Sequence, residues 1–274
     1  MTFRQSVTRL KNAGIESARA DAAMLFEHFL NIEPSRLPLM YDEEIESEEL
    51  CSAIERRAGR EPLQYILGEW EFFGLRFKVS PDCLCPRPDT EILVERALSM
   101  LEGKGRFLEL CTGSGCISVA ILKNRPELSG IATDKFEATL NIARHNARAN
   151  DVYDRLGFEL ADLFDRPNYI GREKFDAIIS NPPYIPTKEV EGLSPEVKKE
   201  PAAALDGGED GLDFYRHIVK NYSEYLTDDG AFIFEIGFDQ GDDLRAIADG
   251  EGFVAAIVKD LGGNDRVAVL LRCS

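Results

Sequence analysis

Residues 181–184 read Asn-Pro-Pro-Tyr, straight after the apolar run Phe-Asp-Ala-Ile-Ile-Ser. Asn181 and Pro182 each precede a proline, which pushes both toward extended backbone. Pro182 and Pro183 carry no N–H. The local inventory therefore tilts to acceptors: the carbonyls of Asn181 and Pro182 and the Asn181 side-chain oxygen. Acceptors grouped at a strand's end suit an incoming –NH2 group. Tyr184 adds a ring able to pack on the planar group that carries that nitrogen. The same four residues also read as a strand-terminating turn with a structural Asn, so the surroundings must decide.

A second cluster is Cys111-Thr112-Gly113-Ser114-Gly115, set between the apolar run Arg-Phe-Leu-Glu-Leu and the helical pattern that opens at Cys116. Small residues there let a ligand approach the backbone, and free N–H groups at a helix start offer donors. Asp134 closes the next strand, about 20 residues on, the spacing at which an acidic side chain reaches a ribose diol. The third position of a dinucleotide fingerprint is Ser118 rather than Gly, and no Gly-Lys-Ser/Thr follows. A ligand with a nucleoside but no pyrophosphate fits this turn. Asp162 closes the third strand, in position for an adenine amino group; a capping Asp fits its spacing equally.

These residues need a frame. From Phe107 onward strands alternate with helices: strands at 106–111, 130–134, 156–162 and 175–181, then, after an irregular stretch over 182–208, a helix and the strand 230–237. Such alternation implies a parallel sheet with helices on both faces. The last two strands, joined by Leu-Gly-Gly-Asn-Asp, suit an antiparallel hairpin. Residues 1–67 read as a separate helical domain, with Ala22, Leu25, Phe26 and Phe29 on one helix face and Ser47 opening another helix. Residues 68–86 read as a β-hairpin linker with turns at Gly68 and Gly74. A helix follows near Pro88, with Asp89 or Thr90 as its cap. The third unit is 87–274.

The 274 residues suffice for one large domain or two modest ones, and 44% are apolar, enough for a core. Lys and Arg total 32 against 49 Asp and Glu, a net charge of −17, which disfavours sequence-independent binding to a phosphate backbone. No apolar stretch reaches the roughly 20 residues of a membrane helix, and the N-terminus has no apolar signal region. A cytoplasmic protein without a membrane partner is expected. None of the six cysteines forms a C-x-x-C pair and there are three histidines, so neither a metal site nor a disulfide framework is expected.

Taken in order, PLQYILGEWEFFGLRF, PRPDTE, LELCTGSGCISVA, SNPPYI, EPAAALDGGEDGL, EIGFDQG and DLGGNDRV resemble, over nearly the whole chain, the HemK/PrmC family. Its members are Rossmann-like S-adenosylmethionine-dependent methyltransferases. They methylate the side-chain nitrogen (N5) of the glutamine in the Gly-Gly-Gln motif of class 1 peptide-chain release factors, a step in translation termination. PRPDTE and EPAAALDGGEDGL are the specific blocks; the glycine turn and N-P-P-Y are shared by many methyltransferases. The resemblance implies an α/β fold with a seven-stranded sheet, mostly parallel with an antiparallel last strand, behind a small release-factor-binding helical domain. It implies S-adenosyl-L-methionine held by Cys111, Thr112, Gly113, Ser114, Gly115, Asp134, Asp162, Leu163 and Asn181. The substrate glutamine would lie on Asn181, Pro182, Pro183 and Tyr184, with Asn181, Pro182 and Tyr184 catalytic. Thr90 and Glu91 of PRPDTE either wall the cofactor's methionine tail or cap a helix. The alternative activity is N6-adenine or N2-guanine methylation of nucleic acid with the same acceptors. Many members have Asp-Leu-Gly where this chain has Glu109-Leu110-Cys111, and the Cβ of Cys111 argues against a positive φ there.

Overall fold

The computed structural model describes residues 1–165, 171 and 173–273. They divide into two compact units: 1–69 with 193–199, and 70–192 with 200–274.

The first unit is built from α1 (Phe3–Asn12), α2 (Ala18–Leu30), α3 (Glu48–Ala58) and α4 (Leu63–Leu67). Thr2 and Gln5 close a capping box at the start of α1, each side chain bonded to the other's backbone N–H. Ser47 caps α3, its hydroxyl accepting from Leu50 N–H at 3.1 Å. Ala22, Leu25 and Phe26 are fully buried, as their spacing predicts. Phe29, near the end of α2, is only half-buried. Inside the unit, Arg57 donates to Asp21 at 2.7 Å and to Glu196 at 3.0 Å. Arg60 donates to the other Glu196 oxygen at 2.8 Å. The stretch 193–199 is thereby ion-paired to α3 and the residues just after it.

The second unit opens with strands β1 (Glu69–Phe72) and β2 (Leu75–Lys78). Phe73 and Gly74 between them both have positive φ, the two-residue turn that matches strand twist. Then come α5 (Thr90–Met100), β3 (Arg106–Leu110), α6 (Cys116–Asn124), β4 (Ser129–Asp134), α7 (Glu137–Ala149), β5 (Leu156–Leu160), β6 (Phe175–Ser180) and α8 (Thr187–Val190). The chain finishes with α9 (Asp213–Tyr222), β7 (Leu226–Glu235), α10 (Gly241–Gly250), β8 (Phe253–Lys259) and β9 (Asp265–Arg272). Seven strands form one sheet in the order β5-β4-β3-β6-β7-β9-β8. β3 through β7 pair in parallel; β9 runs antiparallel to both neighbours.

Alternation along the central strands feeds two cores. Ala177, Ile179, Ala231 and Ile233 face one core, shared with Leu93, Val94 and Ala97 of α5 and with α6. Ile178, Phe232 and Phe234 face the other, shared with Tyr215, Ile218 and Tyr222 of α9. Both faces are covered, as a parallel sheet requires. The order reverses between β3 and β6, whose chains leave the sheet to opposite sides. A crevice opens at their carboxyl ends, where such folds bind ligands.

The stretch after N-P-P-Y is more regular than its sequence suggests. Ile185 pairs in parallel with Asp206: Ile185 N–H donates to the Leu205 carbonyl at 3.0 Å and Gly207 N–H to the Ile185 carbonyl at 2.9 Å. No side chain caps α5: neither Asp89 nor Thr90 makes a capping hydrogen bond, and Asp89 already has helical backbone.

Candidate active site

A cavity of about 410 Å³ lies at this crevice. Its size suits a small organic ligand. Cys111, Thr112, Gly113 and Ser114 line it from the β3 turn, Asp134 from the end of β4, Asp162 and Leu163 from the end of β5, and Asn181 and Pro183 from the end of β6. Four strand ends thus converge. Three residues named from the sequence stand outside the lining: Gly115, Pro182 and Tyr184.

Gly115 lies under the turn. Its φ is +78°, and a Cβ there would come within 3.0 Å of the Ala143 Cβ, so it sets the packing of α7 against the loop. Gly113 differs: a Cβ on it would meet nothing within 4 Å, leaving open space above the turn. Cys111 has φ +57°, which overturns the expectation that its Cβ would keep it from the left-handed region. Neighbouring bonds hold it there. Thr112 N–H donates to the Thr133 carbonyl at 2.9 Å, and the Ser180 hydroxyl donates to the Leu110 carbonyl at 2.8 Å. A non-glycine residue in this region costs roughly 1–3 kcal/mol and persists only where its surroundings impose it.

Beneath the turn, Glu109 is fully buried. Its Oε2 accepts from the Thr112 hydroxyl at 2.7 Å, from Ser118 N–H at 3.2 Å and from the Ser118 hydroxyl; Oε1 is buried with no partner among the described residues. Burial pushes this carboxyl up to about 7, against the pull of the Ser118 and Thr112 donors. Glu109 ties loop and helix α6 together from below.

Asp134 accepts Gly113 N–H on one oxygen at 3.1 Å and Phe136 N–H on the other at 3.0 Å. Burial raises its pKa, opposed by the N–H groups of Phe136, Gly113 and Lys135. Asp162 is more committed: Lys135 meets one oxygen at 2.7 Å and Phe164 N–H the other at 3.0 Å. Burial works to raise its pKa, but these partners outweigh it and the net direction is down.

Asn181 Nδ2 donates to Thr90 Oγ1 at 3.3 Å, which leaves the amide oxygen to accept. Tyr184 Oη donates to the buried carboxylate of Glu235 at 3.3 Å, and burial raises the phenol's pKa. Gly207 and Gly211 explain the block that contains them. A Cβ on Gly207 would stand 2.7 Å from the Tyr184 Cα, and one on Gly211 2.3 Å from the Tyr184 carbonyl oxygen. Only glycine lets that loop lie against the N-P-P-Y backbone.

Reading the sequence for clusters also missed part of the wall. Cys83, Cys85, Arg87 and Ala202–Ala204 line the cavity. Buried Glu200 takes Cys85 N–H at 3.1 Å and pairs with Arg87, joining two of these stretches. For Arg87 and Ala202–Ala204 the signal lay in PRPDTE and EPAAALDGGEDGL, which carry no catalytic spacing of their own; Cys83 and Cys85 fall outside both. Thr90 lines the cavity, whereas Glu91 does not; it accepts Phe73 N–H at 2.8 Å and holds the hairpin.

A sheet of this order with a ligand cavity at its switch point defines a methyltransferase fold. The hMettl16 catalytic domain, solved with a MAT2A 3'UTR hairpin, superposes with a TM-score of 0.61 at 17% identity, over 80% of this chain and 81% of that one. A methyltransferase from Pyrococcus furiosus gives 0.52 at 17% identity, over 73% and 90%. Residues 2–68 match the family model of the PrmC N-terminal domain, and 88–209 that of the methyltransferase small domain. The release factor glutamine methyltransferase of Thermodesulfovibrio yellowstonii is 43% identical over 91% of both chains. That of Geobacter sulfurreducens is 41% identical over 94% of this chain and 91% of its own, and that of Cereibacter sphaeroides 41% over 97% and 95%. The chain belongs to the release factor glutamine methyltransferase family and is a methyltransferase.

Proposed function

We propose that this enzyme transfers a methyl group from S-adenosyl-L-methionine to N5 of the glutamine in the Gly-Gly-Gln motif of class 1 peptide-chain release factors. The observation that carries the reading is the Asn181 amide at the cavity wall. Its nitrogen is held by Thr90 and its oxygen is left to accept. The cavity's donor set fits the cofactor. Open space stands above Gly113, and the Asp134 carboxylate lines the cavity where a ribose diol would lie. Asp162 and Leu163 would border the adenine, and Cys111 through Ser114 with Thr90 the methionine portion.

When bound, the cofactor supplies an electrophilic methyl group on a sulfonium. Amide nitrogen is a weak nucleophile because its lone pair is delocalised into the carbonyl. Asn181 Oδ1 and the Pro182 carbonyl would accept the two N–H bonds of the substrate –NH2, aim the lone pair along the line of transfer and stabilise the positive charge that develops on nitrogen. The methylated nitrogen is acidic and gives its proton to solvent, so no strong base is needed beforehand. Tyr184 would pack against the planar amide.

Residues 1–67 are assigned to recognition of the release factor, 68–86 to the linker and 87–274 to catalysis. We place the reaction in the cytoplasm. Labelled-methyl transfer to purified release factor, DNA and RNA tests the reading, with mass spectrometry of the Gly-Gly-Gln peptide. One added methyl on that glutamine is expected. Label on nucleic acid and none on the release factor would sink the proposal.

A further inference from the structure

Pro182 and Pro183 have no N–H to give, so main-chain donation cannot hold the backbone just beyond β6. A side chain holds it at the next residue. Gln240 Nε2 donates to the Tyr184 carbonyl at 3.0 Å and to the Gly211 carbonyl at 3.3 Å, while its Oε1 accepts Gly237 N–H at 2.9 Å. Gln240 is 6% exposed and stands outside the cavity lining.

The Gln240 amide fits only one way round. Both neighbours of its nitrogen are main-chain carbonyls, which only accept, and the neighbour of its oxygen is an N–H. Its two donors and its acceptor thus join the N-P-P-Y backbone, the loop through Gly211 and the turn that follows β7. Glycines make the room. A Cβ on Gly237 would stand 3.0 Å from Gln240 Oε1, and one on Gly211 2.9 Å from Nε2. Gln240 N–H donates to the Gly237 carbonyl at 3.1 Å, which folds the residue back on that turn and aims its side chain at Tyr184.

We infer that Gln240 is a positioning residue: by holding the Tyr184 carbonyl it fixes the main chain that carries the Tyr184 ring, and with it the plane against which the substrate amide lies. The inference rests on the functional reading above, because it presupposes that Tyr184 packs on the substrate glutamine. Its effect falls on the chemical step. A ring turned out of place lets the amide swing away from the line of transfer, whereas the cofactor cavity keeps its walls.

The test measures methyl transfer to purified release factor by the full-length protein, at a temperature below the melting transition of every variant. Gln240→Met keeps the length of the side chain and removes its donors. Its kcat should fall about 100-fold, the loss that a misplacement of about 1 Å causes. KM for the release factor and calorimetric affinity for S-adenosylmethionine should stay within about twofold of wild type. Tyr184→Ala removes the ring and should leave Gln240→Met little more to lose: the double variant should be no more than about threefold slower than Tyr184→Ala alone. A loosening of the whole fold would instead multiply the two losses. Wild-type kcat in Gln240→Met overturns the inference, as do losses that multiply or an S-adenosylmethionine affinity that falls in step with kcat. If Gln240→Met fails to fold, Gln240→Glu decides by the same comparisons, since it keeps the shape and the bond to Gly237 but loses donors. A wild-type protein that methylates no release factor overturns instead the functional reading beneath it.

Discussion

On the proposed reading, Asn181 serves the substrate and Asp134 the cofactor. Asn181→Ala removes the proposed acceptor for the substrate amide and should lower kcat by about 10²–10³-fold, while calorimetry should find S-adenosylmethionine binding nearly intact. Asp134→Ala should do the reverse, weakening cofactor affinity by at least about tenfold, since on this reading one half-buried acceptor serves two hydroxyls. Glu109 gives a pH signature. Its folded pKa of about 7 lies above the 4.5 of an unperturbed carboxyl. Its contribution to stability is therefore full below about pH 4.5 and is lost as the pH rises through 7. The total is about 3 kcal/mol, at 1.36 kcal/mol per pKa unit. Denaturant melts of Glu109→Gln and wild type should show the variant gaining on wild type between pH 5 and pH 8; parallel curves would refute this. At this scale the sequence was most legible where side-chain chemistry is explicit: Asn181, Asp134, Asp162. It misled at Cys111, because whether a Cβ tolerates φ +57° depends on bonds made by Thr112 and Ser180 to other strands, which no local pattern encodes.

The elements place those side chains by ending in the right places. β3, β4, β5 and β6 all finish at the same edge, and alternation of apolar residues with helices was enough to foresee that. The hidden part was the support. The loop through Gly207 and Gly211 lies against Tyr184 so closely that its glycines are packing requirements, not turn signals. Gly211→Ala would set a methyl against the Tyr184 carbonyl and force a side chain into positive φ. It should cost more than about 2 kcal/mol and lower kcat together with stability, as thermal melts and turnover would report. Likewise the stretch 185–208 looked irregular because its order comes from a partner distant in sequence: Ile185 meets Asp206, and no periodicity announces a single rung of parallel pairing.

For the molecule as a whole, an excess of acidic residues over the 32 basic ones agrees with a protein substrate, and label transfer to DNA or RNA should stay at background. The helical unit has a buried charge network at its centre, with the Arg57 and Asp21 side chains each 8% exposed. Arg57→Ala would strand Asp21 without its partner and should destabilise that unit by about 3–5 kcal/mol, measurable as an early transition in a melt. Helices and caps in this unit were readable from Ser47 and from the spacing of Ala22, Leu25 and Phe26. Its last piece was not, because Glu196 is remote in sequence and reads as one acidic residue among many. That remote piece bears on how the chain is made. The N-terminal helices leave the ribosome first, yet Arg57 and Arg60 wait for Glu196 until on the order of 100 further residues have been added, many seconds at ~5–20 residues per second. The unit that emerges first is completed late, and a fragment ending at residue 69 would lack the carboxylate that its own arginines bind.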